Sequence, residues 1–557
     1  MELDTLSFPD DFWSVVRPLL SSDHARQTLE LADEVEEYFG GPRDIGIARQ
    51  FIRNHLPPGR IYVYGAGLHS ENIVDILTHR DDLEVLGFLD RDADRLKTFH
   101  GYEVLAPERI VELDFDYVLI SYQRIEATMV DRLRQLGVPA AKIHTIYSDP
   151  GFIATAVAEQ FSRIERRLDG RRFDHVIVRS GIHEVVPDSV LVELFPPETT
   201  LVIHIGPAKS TVAISPFWTI DAQGCAALAA RIVKALRPKT VYLSTAQEFE
   251  LFYFPIRRAV PDTQLIHEIY DFFPLIPEDW IKLGINASDR LIELMRLSNY
   301  FSCRYSQMIV SKRAGREWNR ACESFYSPYL FVYPGIGSKG SVDWDESTRE
   351  SPGDGPVHIL YAGAQVPPHF HIYMRSDYNF LPLMEEITQK SNVTIDIFNS
   401  SHAYEINDPT FRNYMERYPS PPMTYHRRIP FDNLIHRMQK YHFGWLCLPP
   451  REQDLADQQV VICNRFSAYV YGGLPTIVDA EWHFIADLVA EYGAGLVVED
   501  ADPDKVLRAI RECDYQALLR GTVRLREHMW RHNEMTKELL CQLVDKAGNN
   551  PSREMTL

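Results

Sequence analysis

Tyr64-Gly65-Ala66-Gly67-Leu68-His69-Ser70 places two glycines where an apolar run ends and a helical pattern begins. Glycines at such a turn let the backbone approach a phosphate, and the helix start supplies unpaired N–H groups and a favourable dipole. Asp90 closes the next apolar run roughly twenty residues on, the spacing of an acid that holds a ribose hydroxyl. Ser70 stands where the fingerprint carries its third glycine. Gly65, Gly67, Ser70 and Asp90 therefore read as a ligand loop. The same glycines also suit a tight strand-to-helix turn that binds nothing, and both readings stay open.

Other ionisable groups gather at the ends of apolar runs. His204 follows Leu201-Val202-Ile203 and precedes Gly206-Pro207, a strand-end position where open α/β sheets collect functional groups. A packed core or loop histidine is the alternative. Glu268 and Asp271 lie at and just past the end of the run that starts at Gln264, and this placement, among 78 acidic residues, makes them catalytic candidates. Arg427-Arg428 is a cationic doublet suited to a diphosphate, or a solvated surface pair. Metal chemistry is not expected. There is no HExxH spacing, His369-Phe370-His371 has no third ligand nearby, and the seven cysteines are scattered without a CxxC pair.

The elements that must position these groups follow from the apolar pattern. Residues 1–57 read as helices ending at Pro57-Pro58-Gly59. Residues 58–150 alternate short apolar runs with helical stretches, the mark of βαβ units around a parallel sheet. A polar, arginine-rich helix near Phe152 reads as a connector. A second alternating series fills 151–345, a turn-rich charged linker spans Gly340 to Gly355, and a third series fills 355–512. Helices and a polar tail occupy 513–557. The expected class is α/β, with three Rossmann-like doubly wound units between helical N- and C-terminal segments.

A chain of 557 residues exceeds one hydrophobic core, and 45% hydrophobic with 24% charged residues is ordinary for globular units. The formal charge of −20 disfavours nucleic acid or an anionic membrane as the main partner. Neither a secretory signal nor a membrane span is visible, so a cytoplasmic location is expected.

Two resemblances add to this reading. The stretch carrying VYGAG, GFLD, GYEVLAPE and DFDYVLIS resembles the N-terminal domain of bacterial sugar O-acyltransferases, which implies a nucleotide-sugar or regulatory ligand pocket. The stretch from Asn464 to Asp500 resembles the nucleotide-sugar half of GT-B glycosyltransferases of the retaining, glycogen-synthase-like group. That resemblance implies that the last two units form a GT-B pair, with the acceptor half first and the donor half second.

On the same ground, Asn464 and Arg465 fall at a polar-basic pair facing the donor diphosphate. Gly363 ends the first donor-half strand, and Arg427 or Arg428 sits on a nearby loop. Thr245-Ala246-Gln247-Glu248 and His267-Glu268-Ile269-Tyr270-Asp271 resemble the acceptor half. Position 468, usually a glutamate that binds ribose, is Ala468, and the glutamate eight residues before it is replaced by Val460.

The resulting expectation is a glycosyltransferase. It would take a nucleotide-diphosphate sugar as donor and a glycan or protein as acceptor, with no further cofactor, no nucleic-acid partner and no membrane span. A non-catalytic nucleotide-sugar-binding scaffold and a nicotinamide-dependent sugar-modifying enzyme remain as alternatives.

Overall fold

The computed structural model describes residues 24–549 except 123–125, 182–184, 207–215, 277, 279–280, 283–286, 315–317, 319–327, 337–350, 352–354, 364–380, 400–415, 428, 448–458 and 500–501. Most of the charged linker and His369-Phe370-His371 thus lie outside the described residues.

The chain enters through α1 (His24–Phe39) and α2 (Ile45–Asn54). The first sheet follows, built from β1 (Gly59–Tyr64), β2 (Leu83–Leu89), β3 (Thr98–Phe99), β4 (Tyr102–Leu105), β5 (Tyr117–Ile120) and β6 (Ile143–His144), in the order β3-β4-β2-β1-β5-β6. The short α3 (Leu68–Glu71) follows β1, and α4 (Glu126–Gln135) follows β5. All pairs but β3–β4 are parallel, and β5 is buried along its whole length, as a strand covered on both faces must be. Strand order reverses between β1 and β5, which opens a crevice at their carboxyl ends.

The long α5 (Pro150–Leu168) leads to the second sheet. Its strands are β7 (His175–Arg179), β8 (Thr200–His204), β9 (Trp218–Asp221), β10 (Thr240–Thr245), β11 (Gln264–Ile269), β12 (Met308–Ser311) and β13 (Tyr329–Phe331). Their order is β13-β12-β11-β10-β7-β8-β9, every pair parallel, with the reversal between β7 and β10. The helices α6 (Ala226–Leu236), α7 (Tyr253–Ala259) and α8 (Asp289–Tyr305) cross between strands.

The third sheet repeats the plan with β14 (Val357–Gly363), β15 (Val393–Asn399), β16 (Pro419–Ser420), β17 (Met423–His426), β18 (Phe443–Leu446), β19 (Thr476–Asp479) and β20 (Gly495–Val498). Its order is β16-β17-β15-β14-β18-β19-β20, with the reversal between β14 and β18. α9 (Asn464–Tyr471) connects β18 to β19. The last helix, α10 (Tyr515–Asn549), runs 35 residues, about 52 Å at the α-helical rise. Its Leu519, Leu525 and Met529 pack in the third core, and its Leu540 and Val544 pack against the second sheet. A single helix therefore ties the last two units together, the pairing of Rossmann-like sheets that the GT-B architecture uses.

Within the expected helical segment 1–57, the described helices α1 and α2 divide between two cores. Leu31, Ala32, Val35 and Phe39 of α1 are buried in the core of the second sheet, whereas Ile47, Ala48, Phe51 and Ile52 of α2 are buried in the first. The expected connector is also divided, for Phe152 and Ala156 of α5 join the first core, while Val157, Phe161 and Leu168 join the second. The front core thus draws on residues outside 58–150 at both ends.

The joint between these units contains a buried carboxylate. Glu126 accepts hydrogen bonds from Ile146 N at 2.7 Å, Tyr147 N at 2.8 Å and Ser148 Oγ at 2.9 Å. Burial nevertheless pushes its carboxyl up to about 7, against the pull of those donors and of the buried Arg43 guanidinium. A carboxyl raised on folding adds stability that is complete below its unfolded value and lost as pH rises through its folded value. Melting temperature is therefore expected to fall between about pH 5 and about pH 8 by more in the native protein than in Glu126→Gln, which cannot titrate. A thermal scan at each pH checks this, and parallel slopes for the two proteins would remove Glu126 as the cause.

Candidate functional site

The carboxyl ends of β14 and β18 are covered by α9, and three local features hold it there. Cys463 caps the helix, with extended backbone and a sulfur that accepts from Phe466 N at 3.4 Å. Tyr469 lies across both strands, its hydroxyl donating to Leu360 O at 3.2 Å and Trp445 O at 3.3 Å and accepting from Ala362 N at 2.9 Å. Gly444 makes room for that ring, since a β-carbon there would stand 2.5 Å from it. The helix N-terminus consequently points its N–H groups over the reversal point of the third sheet.

Arg465, in the first turn of α9, lays its guanidinium over the Tyr361 ring at 4.3 Å and against Gly363, where any β-carbon would collide with it. Gly363, Asn464 and Arg465 are thus brought together. Lys312, which no motif marked, and Tyr270 of the His267-to-Asp271 stretch join them from the second unit. Past β12 the backbone of 312–314 pairs with 460–462, through Ala314 N to Val460 O at 2.8 Å and Ile462 N to Lys312 O at 2.9 Å. This pairing brings Lys312 and Tyr270 to the start of α9. The Lys312 ammonium sits 3.2 Å from the Tyr270 ring centre, and the Tyr270 hydroxyl donates to Asn464 Oδ1 at 3.4 Å. Arg313, buried, donates to Tyr270 O at 3.0 Å. Lys312 and Arg465 both act on the Cys463 thiol, opposing the upward push of burial. The seam therefore carries positive potential from two units and a helix dipole.

The signal for Lys312 was present in the sequence as a Lys312-Arg313 doublet directly after an apolar run. The other doublet is placed differently. Arg427 is exposed just past β17, two strands from β14 and about 10 Å away laterally at ordinary strand spacing, and Arg428 lies outside the described residues. Val460 is buried in the second unit's core and Ala468 among the residues around Tyr469. Neither position carries a carboxylate.

The three expected catalytic groups do not converge. Glu268, Ser244, Arg179 and His204 form one lateral row across β11, β10, β7 and β8, so His204 and Glu268 stand three strand spacings, about 14 Å, apart. Glu268 is 1% exposed and accepts from Val185 N at 2.7 Å, Tyr242 Oη at 2.6 Å and Ser244 Oγ at 3.1 Å. Saturated in this way, it is a structural carboxylate rather than a catalytic one. His204 is half-buried, and desolvation with the nearby Arg179 charge depresses it to about 4, so the ring is neutral at pH 7. Asp271 is half-exposed, with Oδ2 accepting from Gln247 N at 3.0 Å. It alone of the three combines a carboxylate with exposure near Tyr270.

The front loop is bonded largely within its own unit. Asp90 folds back onto it, accepting from Ala66 N at 2.8 Å through one oxygen and from Asp92 N at 3.0 Å through the other. The carboxylate thus occupies the Ala66 amide, one of those that the phosphate reading requires. Ser70 is buried, donating to Gly65 O and, at 2.6 Å, to Ser121 Oγ. α3 has only four residues. Gly65 does need to be glycine, with φ of +114° and Ser121 O 2.5 Å from any β-carbon, whereas Gly67 faces open space. The loop is thus held as a turn. A histidine that the pattern did not single out, His69, closes the crevice through Ser121 Oγ at 2.8 Å and Tyr147 Oη at 2.9 Å, and burial lowers it to about 4.

Among the described residues no group of three His, Cys, Asp or Glu side chains is placed to hold a metal ion, and no helix is long and apolar enough to cross a membrane.

Fold and seam together define an α/β protein of GT-B architecture with an additional Rossmann-like unit in front. Residues 58–144, which include the front loop, match the family model described as C2185-like, N-terminal. No curated protein matches the sequence. Among solved structures, the chain is similar to HepE of Anabaena in complex with UDP and glucose, with a TM-score of 0.45 and 11% identity over 68% of this chain and 100% of that one. Sucrose-phosphate synthase of Thermosynechococcus elongatus gives a TM-score of 0.48 and 11% identity over 68% and 100%. The trehalose 6-phosphate synthase of Burkholderia multivorans gives 0.44 and 11% over 68% and 99%.

Two glycine variants separate the support of the seam from its charge. Gly444→Ala pushes on the Tyr469 ring and is expected to cost about 1–3 kcal/mol in denaturant unfolding. Gly363→Ala meets the far end of a flexible arginine instead, so it should displace Arg465 and weaken anion binding at a smaller cost in stability. Equal stability losses in the two variants would contradict this division.

Proposed function

We propose that the chain is a glycosyltransferase whose nucleotide-sugar diphosphate lies at the N-terminus of α9, between Arg465 and Asn464 of the third unit and Lys312 of the second. The supporting observation is the convergence of a helix N-terminus and cations from both units at one sheet's reversal point. In transfer, the bond from the sugar to the diphosphate breaks and a bond to an acceptor hydroxyl forms. Negative charge grows on the departing diphosphate, and fixed cations and N–H dipoles stabilise it most in the transition state. Asp271 is the proposed acid–base group, since Glu268 is saturated. Retention of configuration and a glycan or protein acceptor are the finer parts of the proposal, and both rest on family resemblance.

A second reading, a nucleotide-sugar-binding scaffold, is favoured by the apolar residues at positions 460 and 468 and by the sequestered Glu268. It differs in expecting binding without turnover.

UDP-glucose and its GDP and CDP counterparts, screened for transfer and hydrolysis, discriminate the two readings. With a working donor, Arg465→Ala and Lys312→Ala should each lower kcat roughly 10- to 100-fold, the scale of a charged hydrogen bond, and change KM less. Asp271→Asn should lower kcat while leaving donor binding intact. Binding with no turnover would support the scaffold, and unchanged kinetics in both cation variants would place the diphosphate elsewhere.

A further inference from the structure

A second cationic surface lies away from the seam. The outer side of α5 and α6 exposes Arg163, Arg167, Arg231, Lys234 and Arg237, and no ion pair engages any of the five among the described residues. On α5 the arginines are four apart and lie outside the stripe that buries Val157, Phe161 and Leu168, Arg163 on the far side and Arg167 on the flank. The two helices form one surface, since Arg231 of α6 stacks on Phe161 of α5 at 4.3 Å. Arg171, in the turn after α5, stacks on Trp218 at 4.0 Å and extends it. The acids of this face, Glu159, Glu165 and Asp169, lie on α5 and its C-cap. Residues 226–239 contain none, within a chain of net charge −20.

Helix dipoles explain only part of this. A cation in the last turn offsets the carbonyl end of a helix, which accounts for Lys234 and Arg167. It does not account for Arg163 or Arg231, set further back, or for Arg171 and Arg237, set beyond. Nor does the proposed transfer reaction use them. The turns after α5 and α6 lead into the amino ends of β7 and β10, whereas the seam lies at carboxyl ends, roughly 17 Å away along a five-residue strand.

We infer that the outer face of α5 and α6 is a docking surface for the anionic phosphodiester headgroups of a lipid bilayer. The cations spread over two helices without converging on a concavity, which suits an array of phosphates rather than one. Arginine predominates, and its planar fork pairs with phosphate oxygens. Two helices packed side by side present a face roughly 20 Å wide, too broad to enter a nucleic-acid major groove of about 12 Å. The aromatic rings on which single-stranded bases would stack are already covered by arginines.

The test is co-sedimentation of the full chain with phosphatidylcholine vesicles, with and without phosphatidylglycerol. Binding is expected only with phosphatidylglycerol, at low ionic strength, and should be lost as salt is raised. Arg163→Glu with Arg231→Glu should lower partitioning at least roughly tenfold, while Arg163→Lys with Arg231→Lys keeps it. Arg508→Glu, an exposed charge reversal on the third unit, should leave it unchanged. If the double reversal alters the far-ultraviolet circular dichroism, Lys234→Glu replaces it. Equal binding to neutral vesicles, full binding by the reversal variants, or capture of the native protein by duplex DNA but not by vesicles would overturn the inference.

Discussion

The short backbone pairing of 312–314 with 460–462 is the constraint on which the seam depends. It is an antiparallel contact between two units whose own sheets are otherwise parallel throughout, β16 excepted. Because Val460 is buried among the second unit's side chains, the segment leading into α9 belongs to both cores. The start of α9 is thereby fixed relative to β12, and Lys312, Tyr270 and Asn464 meet as a consequence. α10 secures the same relation by spanning both units.

Polar groups inside the second unit serve the scaffold rather than the seam. Glu268 gathers three donors from one neighbouring strand and a loop, and Glu250, fully buried, stands 3.2 Å from His267 Nε2 with Thr245 bonded to both. Burial lowers His267 to about 3, so the ring is neutral and the cluster acts as a hydrogen-bond network. Such networks, when satisfied, specify a unique packing at the strand ends. The cations at the seam, Lys312 buried and Arg465 half-buried, are instead held against the Tyr270 and Tyr361 rings.

Much of the fold was legible because parallel strands buried on both faces appear as short apolar runs, and the runs near Ile61, Leu201, Val241 and Val357 all lie in strands. The helix at Asn464 was legible through the likeness of Asn464 to Asp500 to a GT-B donor half, with Gly472-Gly473 marking its end. Side-chain partnerships were not. Nothing in the type or position of Asp90 reveals that its oxygens fold back on Ala66 and Asp92, or that Glu268 will be saturated by Tyr242 and the distant Val185 amide. The division of α1 and α2 between two cores was hidden for a similar reason, since an amphipathic face does not name the sheet that covers it. Lys312 carried a readable signal in its position after a strand, but its approach to α9 depends on a pairing between segments far apart in sequence.

The most direct measurement is a crystal structure of the full chain soaked with a nucleoside diphosphate that binds in solution. Its phosphates should lie at the first turn of α9, within hydrogen-bonding distance of backbone N–H groups there and facing Arg465 and Lys312. Phosphates bound in the front crevice beside Gly65, or beside Arg427 with the start of α9 empty, would contradict the assignment of the seam as the donor site.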